Sequence, residues 1–235
     1  MLDRRITFGG DVIDAWIASP PKIIVPERKV TVFSIPGTSR EVVKMEEAWE
    51  PYDQPYSLFL GDGSKDDLQA KAHDIAVKLN KSDIQRLYDD YNRDYFRLAY
   101  FKGPVDIEDR FTRAGKADVV FRCMAEKYLI SGDVATPITT GQALRNPTAY
   151  KAKPLIKIEG SGTGTVVVGS VTMAFTEIVD YLYIDCEEQN VYRLPYENRN
   201  DKMTGSFPLL APGDTTVTFS GGITAVTITP RWFTV

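Results

Sequence analysis

The sequence predicts a mainly β protein with a helical insert, arranged as two domains. Short segments rich in β-branched and aromatic residues recur along it, each closed by glycine, proline or charge. A single stretch, about residues 64–79, has sustained helical periodicity. Beyond Leu129 no helical pattern remains, and strands separated by turns run to the end.

In the first half, Lys29–Ile35 reads as a strand that stops at Pro36-Gly37. The helix follows, with Ser64 placed to cap it and Asp67 in its first turn. Leu68, Ala72, Ile75, Ala76 and Leu79 then share one face. A second, shorter helix is expected from Ser82, carrying Ile84, Leu87, Tyr88 and Tyr91. Phe96, Leu98 and Tyr100 alternate with Arg97 and Ala99, and Val119, Phe121 and Cys123 with Val120 and Arg122, which suits two half-buried strands. Between them the basic stretch Arg110–Arg122 is interleaved with acids and reads as a solvated strand edge.

Ser131–Gln142 is glycine, threonine, aspartate and proline with no long apolar pattern, so it marks the expected junction between domains 1–130 and 131–235. In the second half Ile156 and Ile158 oppose Lys157 and Glu159, and Leu182 and Ile184 alternate with Tyr181, Tyr183 and Asp185. Val217, Phe219, Val226 and Ile228 alternate with threonines. Strands at such spacing imply an antiparallel sandwich.

Composition narrows the function classes. A hydrophobic fraction of 43% over 235 residues supplies a core without metal or disulfide support. The two cysteines, Cys123 and Cys186, fall in different expected domains, so both are expected as buried free thiols. Neither a secretory leader nor a run of about 18 apolar residues is found, so synthesis in a cytoplasm and no membrane insertion are expected. A net charge of −4 argues against a nucleic-acid partner, whose phosphates demand a basic excess.

Catalytic constellations are scarce. His73, the single histidine, stands mid-helix, which leaves no ordinary zinc site and one possible triad base. The run Gly160-Ser161-Gly162-Thr163-Gly164 precedes the strand-like Thr165–Val168 rather than a helix, so it reads as a hairpin tip and not a phosphate cradle. Adjacent acids at Asp66-Asp67, Asp89-Asp90 and Glu187-Glu188 read as solvated surface, with no glycosidase signature around them. No cofactor, metal or catalytic residue is assigned. The aromatics Trp49, Tyr52, Tyr56 and Phe59 cluster in a proline-interrupted segment, and Trp49, Tyr52 and Tyr56 are the candidate subunit interface, with core and sugar stacking as the other readings.

Three stretches together resemble the distal tail proteins of siphophage-type bacteriophages. The first is Ile6-Thr7-Phe8-Gly9-Gly10 followed by a strand ending Ile35-Pro36-Gly37. The second is Tyr95–Tyr100 with Phe111–Lys116 and Val120–Cys123. The third opens with Asn146-Pro147-Thr148 and Lys153–Gly162, and closes with Gly205–Gly213, Phe219–Gly222 and Thr229–Trp232. The resemblance implies an N-terminal β-rich ring-forming domain and a C-terminal galectin-like β-sandwich. It also implies a homohexameric hub at the virion tail tip, assembled in the host cytoplasm. The partners implied are the tail tube protein, a tail-associated lysin or fibre protein, and receptor-binding proteins. The family brings no catalytic residues. The alternative is a carbohydrate-binding module that uses exposed aromatics of the second sandwich; a glycoside hydrolase is the third reading.

Overall fold

The computed structural model describes residues 4–61, 65–104, 106–110, 114–194 and 197–235, with the side chains of 65–67, 106–110 and 114 left aside. It divides after Lys127 into two compact units, the first joined by Val235 and the second running Tyr128–Thr234. Both units are built mainly of strands, and the one α-helix among the described residues lies in the first.

Unit 1 contains β1 (Ile6–Phe8), β2 (Asp11–Val12), β3 (Trp16–Ile17), β4 (Arg28–Ser34), β5 (Glu41–Trp49) and β6 (Tyr52–Leu60). It continues with α1 (Lys65–Leu79), β7 (Gln85–Asp89), β8 (Tyr95–Phe101), β9 (Asp106–Arg110) and β10 (Ala114–Leu129), whose last two residues belong to unit 2. The main sheet runs β2-β1-β7-β8-β10-β6-β3, with β9 also on β10, while β4 and β5 form a separate two-stranded sheet. Strict alternation in β6 turns Tyr52, Gln54, Tyr56, Leu58 and Leu60 inward. Opposite them in register stand Cys123, Phe121, Val119, Ala117 and Gly115 of β10. Phe8 reaches Phe121 across the core with ring centroids 5.0 Å apart. Helix α1 adds Leu68, Ile75 and Leu79 to the same cluster, while Ala76 and His73 face solvent. Ser64, its expected cap, and Phe111–Arg113 lie outside the described residues.

Three expectations change here. The segment after Ser82 forms strand β7, because pairing with β1 and β8 buries Leu87 and Asp89 at a period of two. In β8 it is Arg97 and Ala99, with Phe96, that are buried, whereas Tyr100 is exposed. Lys116, Asp118 and Arg122 line the outer face of β10, which is an interior strand and not an edge.

Unit 2 holds β11 (Thr136–Ile138), β12 (Gln142–Asn146), β13 (Leu155–Val168), β14 (Val171–Asp185), β15 (Asn190–Arg193) and β16 (Glu197–Asn198). β17 (Met203–Gly205), β18 (Gly213–Thr229) and β19 (Phe233–Thr234) complete it, with short 3₁₀ turns at Ile130–Asp133 and Asn200–Lys202. Its sheet runs β11-β18-β13-β14-β15-β16, with β12 on β18 and β17 on β14. The residues Ser131–Gln142 are anchored within it: Gly132 is buried against Trp232, and Ile138 joins the core.

The glycine run is a corner inside β13 and not a hairpin tip; the tip lies at Gly169-Ser170. Register slips at Gly160–Gly164 against both β14 and β18. A Cβ on Gly222 would collide with the Ser161 carbonyl, and Gly221 has φ +77°. Glycine on both strands therefore lets the backbones approach and bend. Residues on either side of the bend, Ile156 and Ile158 before it, Val166 and Val168 after it, enter one core. The long strands thus fold over themselves into a β-sandwich.

Candidate assembly surfaces

The sharpest polar feature of unit 1 is buried. Tyr52 and Tyr56 point inward from β6, Asp89 ends β7 and Arg97 lies in β8. Tyr56 donates its hydroxyl to Asp89 Oδ2 at 2.9 Å, Arg97 Nη1 donates to the same oxygen at 2.8 Å, and Arg97 Nε donates to Tyr52 Oη at 3.0 Å. Asp89 Oδ1 accepts the amides of Tyr91 and Asn92 at 3.0 and 2.9 Å. The side chains of Asp89 and Arg97 are 0% and 7% exposed, and a pair this deep is tolerable only because the carboxylate's remaining lone pairs are filled. Burial works against the Arg97 charge, but Tyr56, Tyr52 and Asp89 outweigh it and hold the guanidinium protonated. Burial, reinforced by Asp89, pushes the Tyr56 phenol well above its ordinary range.

This network ties three strands together and takes both tyrosines out of the candidate interface. Tyr52 and Tyr56 cannot anchor a neighbour while their rings lie in the subunit's own core. Proline at position 55 does not break the segment: Pro55 sits opposite Val120 inside the β6–β10 ladder. Of the three candidates, Trp49 alone lies outside this core, half-buried at the base of the two-stranded sheet opposite Arg28. Sequence reading missed Arg97 by treating charge as a sign of solvent; the available signal was one cation inside the otherwise apolar Tyr95–Phe101. A cleft of about 130 Å³ lies nearby, lined by Arg5, Thr7, Tyr88, Asp89, Asp90, Arg93 and Tyr95. Its outer carboxylate, Asp90, is already occupied by the Arg5 amide at 2.9 Å and Arg93 at 3.2 Å.

The β4–β5 sheet is an arm. Its register places Val30 opposite Met45 and Val32 opposite Val43, so these four share one face, while Phe33 and Val42 share the other. All six are exposed. An isolated two-stranded sheet is marginal in water, and clustered exposed apolar side chains mark an interaction surface.

Unit 2 differs. Asp185 accepts both Arg231 nitrogens at 2.8 and 2.9 Å and the Glu187 and Glu188 amides. Burial resists its ionisation, but these bonds win and hold the carboxyl below its ordinary value. On the outer face, Tyr183 stacks on Tyr192 at 5.5 Å, and Tyr181 is covered by Lys157 and Arg193 at 5.3 and 5.2 Å. These half-buried outer-face aromatics are thus engaged with one another and with cations. Cys123 and Cys186 are free and buried, each in its own unit, and burial pushes both thiols up to about 12. Among the described residues no cluster of three metal-ligating side chains occurs, and no helix is long and apolar enough to cross a membrane.

No family model matches the chain, and no curated protein matches it. Solved structures do. The SPP1 Dit (gp 19.1) protein, described as a paradigm of the hub adsorption apparatus in phages infecting Gram-positive bacteria, aligns with a TM-score of 0.73 at 13% identity, covering 95% of this chain and 97% of that one. Chains of the phage p2 baseplate in its activated conformation, solved with strontium and with calcium, align at 0.51 with 8% identity over the same shares. The fold is therefore that of SPP1 Dit along nearly the whole length of both chains.

Proposed function

We propose that this chain is a structural hub subunit of a phage tail tip, forming a homohexameric ring through unit 1. The ring joins the tail tube to the tip or baseplate and carries the receptor-binding components. The observation that bears most weight is the end-to-end correspondence with SPP1 Dit, which spans both units rather than a single shared domain. Two features of the chain support it. The arm exposes aliphatic side chains on both faces, which suits a subunit made to be covered. The net charge of −4 suits a wall past which DNA travels without sticking. Its role is architectural and its place is the virion tail. The units serve as separate domains, the first for closure and the second for presentation.

Mass photometry of the purified protein tests this. Particles at six times the 26.3 kDa chain mass are expected. A glycan array on the same protein should be blank, whereas specific glycan binding by a persistent monomer would replace the hub with the carbohydrate-binding alternative.

A further inference from the structure

The cleft beside the β7–β8 turn is lined mostly by hydrogen-bond donors. Thr7 of β1 and Tyr88 of β7 stand opposite each other in register, Tyr95 opens β8, and Arg93 lies in the turn between β7 and β8. Arg5, the residue before β1, completes the set. Three strands and a turn thus bring five N–H or O–H bearing side chains to one opening. Among the described residues the hydroxyls of Thr7, Tyr88 and Tyr95 have no hydrogen-bond partner in the protein.

The two carboxylates of the lining are engaged within the protein. Asp89 Oδ2 accepts from Tyr56 and Arg97, and its Oδ1 from the amides of Tyr91 and Asn92. Asp90 accepts the Arg5 amide at one oxygen and pairs with Arg93 at the other. Arg97 offsets the first charge and Arg93 the second, so Arg5 tips the cleft positive. The Arg5 pairing with Asp14 is long, 3.8 Å, and open to water, where it counts for little. The donors are also held in place. The Tyr88 ring packs on Phe96 with centroids 5.5 Å apart. The Arg5 guanidinium lies 6.0 Å from the ring of Trp16, which stacks on Phe59 at 6.3 Å to form a platform at the sheet edge, the two residues 38% and 42% exposed.

We propose that this cleft binds a free tetrahedral oxyanion of the phosphate or sulfate class. Three hydroxyls and two guanidinium groups offer more donors than the two oxygens of a carboxylate readily accept, and they suit an ion with oxygen on four sides. The cleft volume of about 130 Å³ is the space of about four waters at ~30 Å³ each. That is room for one such ion, and well short of the ~300 Å³ at which pockets for drug-sized ligands begin. Because the donors come from β1, β7, β8 and the turn, the bound ion ties the first strand to the hairpin that follows α1. The site goes beyond the hub reading and does not depend on it.

Isothermal titration of sodium phosphate into the full-length protein, at fixed pH and with ionic strength held by sodium chloride, tests it. Saturable binding is expected, with sulfate competing and acetate much weaker. Tyr88→Phe with Tyr95→Phe removes two hydroxyls and keeps both rings, and Arg93→Gln removes the exposed cation. Each should weaken phosphate binding about tenfold or more. Circular dichroism checks the fold, and Arg93→Gln decides alone should the tyrosine variant lose it. In calorimetry, phosphate should raise the melting temperature of unit 1 and leave that of unit 2 in place. Phosphate that binds no better than chloride, acetate that binds equally, or variants that bind as the wild type does would overturn the site. Tight binding of a short DNA duplex, lost in the same variants, would overturn the free-ion assignment in favour of a nucleic-acid phosphate.

Discussion

In unit 2 the outward tyrosines stack on each other, the long strands bend at glycines into a closed sandwich, and the buried carboxylate Asp185 meets its arginine near the surface. In unit 1 a full ion pair lies in the core while an aliphatic arm and a Trp–Phe platform stand in water. The first arrangement is complete within one chain. The second makes physical sense only if polarity inside fixes strand pairing and hydrophobicity outside awaits a partner. Under the proposed function, in which one domain closes a ring and the other presents partners, this asymmetry is expected.

The contrast is broken most severely at Arg97. Replacing it with methionine leaves Asp89 charged and buried, which should cost about 3–5 kcal/mol. Calorimetry should then show unit 1 melting well before unit 2; an unchanged first transition would mean that the network does not hold β6, β7 and β8 together. Next in size is Gly222→Ala in unit 2. The new methyl meets the Ser161 carbonyl, so the sandwich should lose about 1–3 kcal/mol while unit 1 keeps its melting temperature.

A smaller effect concerns acid. The Asp185 carboxyl is held below its ordinary value, so its contribution is present above the unfolded value of about 3.9 and fades as pH falls through the lower folded value. Arg231→Met removes the main favourable cause of that shift, and the acid midpoint of unit 2 should move upward. Circular dichroism against pH reads this directly, and a downward movement would reverse the assignment. The smallest change is Val32→Thr alone, outward on the arm, which should alter monomer stability by no more than about 0.5 kcal/mol. A larger loss in urea titration would place the arm in the subunit's own core.

Much of this architecture was legible because alternation and burial agree. Val119, Phe121 and Cys123 are inward, as are Ile156, Ile158, Leu182 and Ile184, and α1 covers Lys65–Leu79. Reading failed where a local pattern supported two answers. Ile84, Leu87, Tyr88 and Tyr91 fit helical spacing, and only pairing with β1 and β8 makes the segment a strand. The glycines at 160–164 look like a turn until Gly221 and Gly222 of β18, whose backbones approach Ser161–Gly164 closely, show a shared corner. The aromatic cluster held the right residue types for an interface, but β6 registers against β10 so that Tyr52 and Tyr56 turn inward and Phe59 outward. Trp16 gave no warning at all, since a two-residue edge strand has no period to read.

The central claim, that the chain closes into a ring through unit 1, is tested most directly by electron micrographs of the purified full-length protein in negative stain. Class averages should show an annulus with six-fold symmetry, formed by unit 1. Fields of monomers at concentrations well above micromolar, or two-fold particles with no central opening, would contradict the account.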